Sequence, residues 1–141
     1  MIKIGLTPKV MAVLSEVINK NTNKIKPGYT ADDLITRIQN GSQNNGIKVF
    51  YNEDNDIING LLIVEIVSPF SAINVVFIWL CWIDKNQPEL HNKFMAEAER
   101  YGKEWGATKI QIMVTEKENA WKRKYGFSQE SIIMSKQLKK E

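Results

Sequence analysis

The chain has 141 residues, enough for one domain with a real core, and its 43% hydrophobic and 25% charged residues are ordinary globular proportions. A single cysteine, Cys81, excludes an internal disulfide and, with a single histidine, His91, argues against a His/Cys metal cluster; the formal charge of +3 selects no class of partner. The longest apolar run, 72–83, contains Asn74 and falls short of the roughly twenty residues of a membrane helix, and no signal-peptide pattern opens the chain, so a cytoplasmic protein with no membrane contact is expected.

Met1 to Ile4 reads as a short strand. Thr7-Pro8 is a helix start, with Thr as N-cap and Pro where a missing N–H costs nothing, and Val10, Met11, Leu14, Val17 and Ile18 follow at helical spacing. The pattern dissolves at 19–23, and Pro27-Gly28 is a turn. Thr30 and Asp33 form a capping pair for a second helix, with Leu34, Ile35 and Ile38 on one face and Asn40-Gly41 as its expected end. The period then becomes that of strands: Ile47 to Tyr51, a polar turn over 52–56, and a return from Ile57 to Val67 that Ser68-Pro69 breaks. Val75 to Ile83 is apolar at every position, as expected of a strand covered on both faces at the centre of a sheet, with Trp79 and Trp82 on opposite faces.

Asn86 or Gln87 caps the next helix, with Pro88 in its first turn. Leu90, Phe94, Ala98, Tyr101 and Trp105 fall at steps of four, four, three and four, one stripe toward the core, and Gly106 stands where a helix C-terminal glycine belongs. Lys109 to Val114 reads as a strand. Thr115 with Glu118 caps a short helix ending at Tyr125-Gly126, and Ser131 to Leu138 reads as a last strand. The order β-α-α-β-β-β-α-β-α-β predicts a single α/β domain over 1–141 with a mixed sheet, antiparallel strands leading into one βαβ crossover. There is no repeat or low-complexity tract.

That order, with the segment FMAEAERYGKEWGATKIQIMV and the following KRKYGF, resembles the GNAT N-acetyltransferase superfamily. The matching places are Phe94-Met95, Glu97-Ala98-Glu99, Trp105-Gly106-Ala107 and Gly126-Phe127. The resemblance implies acetyl-CoA beside the central strand, with its pyrophosphate on an Arg/Gln-x-x-Gly-x-Gly/Ala loop opening the next helix. In this chain the loop falls on 86–91, Asn-Gln-Pro-Glu-Leu-His, with Glu89 and His91 in place of both glycines. Pro88 removes an amide donor. Glu89 brings a charge that would cost about 4 kcal/mol against a like charge at about 4 Å and an effective dielectric near 20, less in solvent; in a helix's first turn it also favours the dipole. The residues implied for the cofactor, if it is retained, are Leu80, Trp82, Asn86, Leu90, His91 and Asn119. The family's acid, a Tyr four residues before the Gly-Phe glycine, corresponds to Lys122, and an Asn that contacts the pantetheine arm corresponds to Thr115.

For catalysis three side chains are candidates: Glu65 and Asp84 as bases toward an amine, and Tyr125, next to Gly126. Each has a plainer reading, an ion pair or solvent for the acids and packing for the tyrosine. Cys81, inside the apolar strand, behaves as a small hydrophobe. Lys122-Arg123-Lys124, with Lys117 before it, spreads around a helix as a solvated surface, so nucleic acid is not an expected partner. The replacements at 86–91 and the missing tyrosine favour a non-catalytic or weakly catalytic GNAT-like module acting through protein contacts or self-association. The abundance of Asn, Lys and Ile suggests an AT-rich genome, and the chain is similar in length to small GNAT-like proteins of tailed bacteriophages, some of them virion components. Its place would then be the host cytoplasm or the virion. The alternative is an acetyl-CoA-dependent N-acetyltransferase acting on a small amine or a protein amino group.

Overall fold

The computed structural model describes residues 2–25, 30–44, 46–70, 73–85, 87–113 and 118–130, together with 134, 136 and 138. Among these residues five strands form one sheet in chain order: Ile2–Ile4 (β1), Ile47–Asp54 (β2), Ile57–Phe70 (β3), Ile73–Ile83 (β4) and Ala107–Ile112 (β5). The first four pair antiparallel and β5 pairs parallel with β4, so the expected mixed sheet is present. Among the described strands the middle place falls to β3 rather than β4. The reason is legible in burial: Leu61, Leu62, Ile63 and Val64 are all fully covered, whereas β4 is only partly covered from Trp79 to Ile83.

Helices cover both faces. Pro8–Ile25 (α1) and Ala31–Gln43 (α2) lay Val10, Leu14, Val17, Ile18, Leu34 and Ile38 against Val49, Tyr51, Leu61 and Ile63. Pro88–Glu104 (α3) lays Leu90, Phe94, Met95, Ala98 and Tyr101 against Phe50, Leu62, Val64, Val76 and Ile78, with Glu118–Tyr125 (α4) adding Trp121 and Tyr125 at the margin. Each such side chain stabilises the fold by about 1.5–3 kcal/mol when fully buried. The helix starts follow the sequence signals. Val10 N–H donates to Thr7 Oγ1 at 3.2 Å, and Thr30 and Asp33 form a reciprocal capping box at 3.1 and 3.2 Å.

Several ends differ from expectation. α1 runs past residue 19 to Ile25, with a kink at Asn21 (φ −128°) whose side-chain amide donates to Val17 O at 2.8 Å. α2 passes through Gly41, which is there for packing: a Cβ would lie 2.4 Å from Ile47 Cδ1. Ser68-Pro69 does not break β3, which continues to Phe70. Trp105 leaves the apolar stripe and is 52% exposed, because the helix stops at Glu104 and Gly106, at φ +70°, turns the chain directly into β5. β5 accordingly begins at Ala107 rather than Lys109. In the expected last strand, 131–138, Met134, Lys136 and Leu138 have no strand pairing, and Met134 and Leu138 are highly exposed; its other residues lie outside those described.

Candidate functional site

The site begins with a change of register in β4. Ile63 of β3 pairs with Leu80, but the next residue, Val64, pairs with Ile78, so Trp79 is an extra, unopposed residue, a β-bulge. The bulge inverts which side chains face which helices. Before it Val76 and Ile78 point toward α3; after it Cys81 and Ile83 do, and Trp79, Leu80 and Trp82 all pack on the α1–α2 side. The two tryptophans therefore share one face, contrary to the simple alternation of a regular strand.

The bulge also marks where β4 and β5 part. Their last pair is Ile78 with Ile112, while β4 runs on to Ile83. Asp84 N–H donates to Asn59 O at 2.8 Å, so Asn59 and Asp84, and by alternation Leu61 and Trp82, exchange ladder bonds. The peptide groups of Cys81 and Ile83 consequently face away from β3. On that side no described residue pairs with them. Backbone donors left unpaired in this way are available to a ligand or to water.

On the α1–α2 face the bulged residue is held by three groups. Trp79 Nε1 donates to Glu65 Oε1 at 3.1 Å, and Arg37 Nη2, from α2, donates to Glu65 Oε2 at 2.6 Å. The Arg37 guanidinium stands 6.0 Å from the centre of the Trp79 ring, and Phe77 meets that ring edge-on at 5.4 Å. The Glu65 side chain is 11% exposed and both its oxygens are engaged. It closes a partly buried ion pair, the Arg37 side chain being half exposed, rather than standing free.

On the opposite face α3 and α4 meet through an aromatic contact. The ring of His91 stacks on Tyr125 at 5.0 Å with 21° between planes, and Trp121 leans on both. The Tyr125 hydroxyl donates to Asn92 Oδ1 at 2.9 Å and lies 2.5 Å from His91 Nδ1. With the hydroxyl proton given to Asn92, His91 donates from Nδ1, and its Nε2 is the unprotonated nitrogen. Burial, then the nearby Lys124, lower the His91 pKa below its usual 6.5, so the ring is neutral at pH 7. Burial, and then Cys81, raise the Tyr125 pKa. The Cys81 thiol, packed beneath, is pushed up to about 12 by burial and is not a thiolate.

Leu90 is buried against the sheet and does not reach the surface. Asp84 is exposed just beyond β4, and its carbonyl accepts from Gln87 Nε2 at 2.8 Å. Pro88 is the first residue of α3, and Glu89 lies exposed in its first turn. Asn119 falls in α4 with its side chain outside the described residues, as are Asn86 and Thr115 altogether. Lys122, Arg123 and Lys124 are exposed on α4. Sequence reading missed Arg37, Asn92 and Trp121. Asn92, one residue after His91 and aligned with no motif, carried no signal. No group of three His, Cys, Asp or Glu residues suited to a metal ion occurs among the described residues. No helix among them is long and apolar enough to cross a membrane.

No family model and no curated protein matches the sequence. Solved structures do match the fold. A predicted acetyltransferase from Clostridium acetobutylicum, solved with acetyl-CoA, superposes with a TM-score of 0.76 at 14% identity, over 97% of this chain and 96% of that one. A GCN5-related N-acetyltransferase from Ralstonia eutropha gives 0.74 at 13% identity, over 98% and 99%. AAC(6')-Iy, in complex with the bisubstrate analogue CoA-S-monomethyl-acetylneamine, gives 0.71 at 14% identity, over 98% and 99%. The chain has the fold of the GNAT acetyltransferases along nearly its whole length.

Proposed function

We propose that the protein is an acyl-CoA-dependent N-acyltransferase that passes an acetyl group from acetyl-CoA to an amine. The observation that carries this reading is the edge of β4 beyond the bulge at Trp79, where the pairing with β5 ends and the Cys81 and Ile83 peptide groups have no partner among the described residues. Similarity to structures solved with acetyl-CoA or a CoA bisubstrate analogue supports the same assignment.

In this reading the amides at the open edge accept the donor's extended arm, and the first turn of α3 receives its pyrophosphate. Among the described residues nothing bonds to the amides of Glu89 and Leu90, which are the two that remain there for phosphate, since Pro88 has none and His91 N–H is bonded to Gln87 O at 3.2 Å. Neutral His91 and nearby Lys124 flank that turn, against the Glu89 carboxylate. Such a site holds CoA more weakly than a glycine-rich loop would. The amine lone pair forms the new C–N bond at the thioester carbon, the C–S bond breaks, and the sulfur takes a proton as the amine releases one. Tyr125 is the side chain we assign as proton source: its hydroxyl lies at the α3–α4 contact, its pKa is raised, and His91 can pass a replacement proton to its oxygen. Asp84 is the base with access to solvent; Glu65 is not free for the role.

The second reading is a module without catalysis that binds another protein, in a phage particle or a host cytoplasm. Pro88, Glu89 and the His91–Tyr125 contact drawn across α3 and α4 favour it. The two are separated by measuring thiol release from acetyl-CoA with a panel of primary amines. Amine-dependent release that Tyr125→Phe reduces supports the enzyme. No release with any amine, together with no acetyl-CoA binding, leaves the scaffold.

A further inference from the structure

We infer that Glu65 is a positioning residue: with Arg37 it clamps Trp79 and thereby holds the β4 bulge in the shape that opens the strand edge. The inference rests on the acyltransferase reading for its catalytic consequence but not for its geometry.

A bulge in a uniformly apolar strand is under-determined by side-chain pattern, because shifting it by one residue exchanges one apolar residue for another. Val75 to Ile83 offers no polar residue to pin the register. What singles out position 79 is the indole N–H, which reaches across to β3 and donates to Glu65 at 3.1 Å. Glu65 in turn is fixed from α2 by Arg37 at 2.6 Å, and Arg37 stands over the same indole. The bond, the ion pair and the ring contact close a three-membered circuit around the unopposed residue of this bulge. The neighbouring candidates lack this: Trp82, on the same face, has no described side-chain hydrogen bond, and Leu80 can have none. Both oxygens of this carboxylate already accept, one from a charged donor and one from an N–H, and at 11% exposure neither is turned to a substrate. Its work is done through Trp79.

The test uses Glu65→Gln, Glu65→Ala, Trp79→Phe and the Glu65→Ala/Trp79→Phe pair in the full chain. A glutamine oxygen still accepts from the indole, whereas alanine cannot; phenylalanine keeps an aromatic ring but loses the N–H together with the five-membered part of the indole. In acetyl-CoA turnover, Glu65→Ala and Trp79→Phe should each lower kcat by about three- to tenfold, the loss expected of one hydrogen bond. The pair should lose no more than either alone. Glu65→Gln should stay within about threefold of the parent and keep its pH profile. A loss of about a hundredfold or more in Glu65→Gln, with the acidic limb of the profile removed, would make Glu65 a general base and overturn the inference.

The second readout needs no activity. In the free protein, the backbone amide resonances of Ile78 to Cys81 should move in Glu65→Ala and in Trp79→Phe, and hold in Glu65→Gln. Unmoved amides in the first two variants would show that the clamp does not set the bulge. If the parent neither binds nor turns over acetyl-CoA, the acyltransferase reading fails while the resonance measurement still decides the clamp.

Discussion

Replacing Gly60 by alanine tests how closely α3 sits on the sheet beside the open edge. Gly60 lies on β3, paired with Ile83 of β4, and a Cβ there would stand 2.7 Å from Phe94 Cε2, 3.0 Å from its Cζ and 3.1 Å from Leu90 Cδ2. Carbon atoms pack at about 3.5–4.0 Å, so ring and helix must retreat by roughly 1 Å. Phe94 is fully buried and a flat ring cannot bend out of the way. Overpacking of this kind costs about 1–3 kcal/mol, and the gain of alanine over glycine in a strand returns about 0.5–1 kcal/mol. The expected net loss is about 1–2 kcal/mol. At about 2.1 cal/mol/K per residue over 141 residues, this is a fall in Tm of about 3–7 °C. Thermal unfolding followed by circular dichroism measures it. Trimming the ring in Gly60→Ala/Phe94→Leu should recover part of the loss, although Phe94→Leu alone destabilises; that non-additivity is the signature of direct contact. A Gly60→Ala protein with native spectra and an unchanged or higher Tm would refute the close approach.

The pH dependence of stability should carry the mark of His91. Its folded pKa lies below the unfolded value of 6.5, so between the two the unfolded chain binds more protons, and stability rises with pH through the window just below 6.5. His91→Gln should flatten that slope in denaturant titrations from pH 5 to 7; an unchanged slope contradicts a neutral, half-buried imidazole. Tyr125→Phe removes the bonds to His91 and Asn92 but keeps the stacked ring, and should cost about 0.5–1.5 kcal/mol in the same titration, whereas no loss would show the hydroxyl contacts to be without weight. At pH 8 a thiol titrating near 12 is ionised to roughly one part in 10⁴, so Cys81 should react with an aromatic disulfide at least about a hundredfold more slowly in the folded than in the denatured protein. Comparable rates would place it at the surface. Glu89→Gln should tighten acetyl-CoA about two- to fivefold at low salt and less at high salt, since the exposed carboxylate opposes pyrophosphate through screened solvent.

The parts of the fold that local chemistry specifies were legible. Thr7-Pro8 and the Thr30–Asp33 box start helices as their hydrogen-bonding capacity dictates, and the stripe Leu90, Phe94, Ala98 and Tyr101 faces the sheet. Trp105 extended that stripe on spacing alone and was misplaced, because Gly106 breaks the helix before spacing can act. Gly41 looked like a stop signal, yet its missing Cβ serves Ile47.

The site was legible in outline only. Glu65 stood out as a charge in an apolar strand, and His91 and Tyr125 through the GNAT resemblance, but their partners are remote: Arg37 lies 28 residues from Glu65, and Tyr125 lies 34 from His91. The bulge left no trace in the sequence, since a parity shift within VVFIWLCWI replaces one apolar residue by another. That shift is why Trp79 and Trp82 came to the same face.

A calorimetric titration of the purified protein with acetyl-CoA, with free CoA in parallel, bears most directly on the account. Binding in the micromolar to submillimolar range, weakened when the α3–α4 contact is altered by Tyr125→Phe, is what an open β4 edge with two free amides on α3 predicts. No heat of binding at millimolar acetyl-CoA would contradict the acyltransferase assignment.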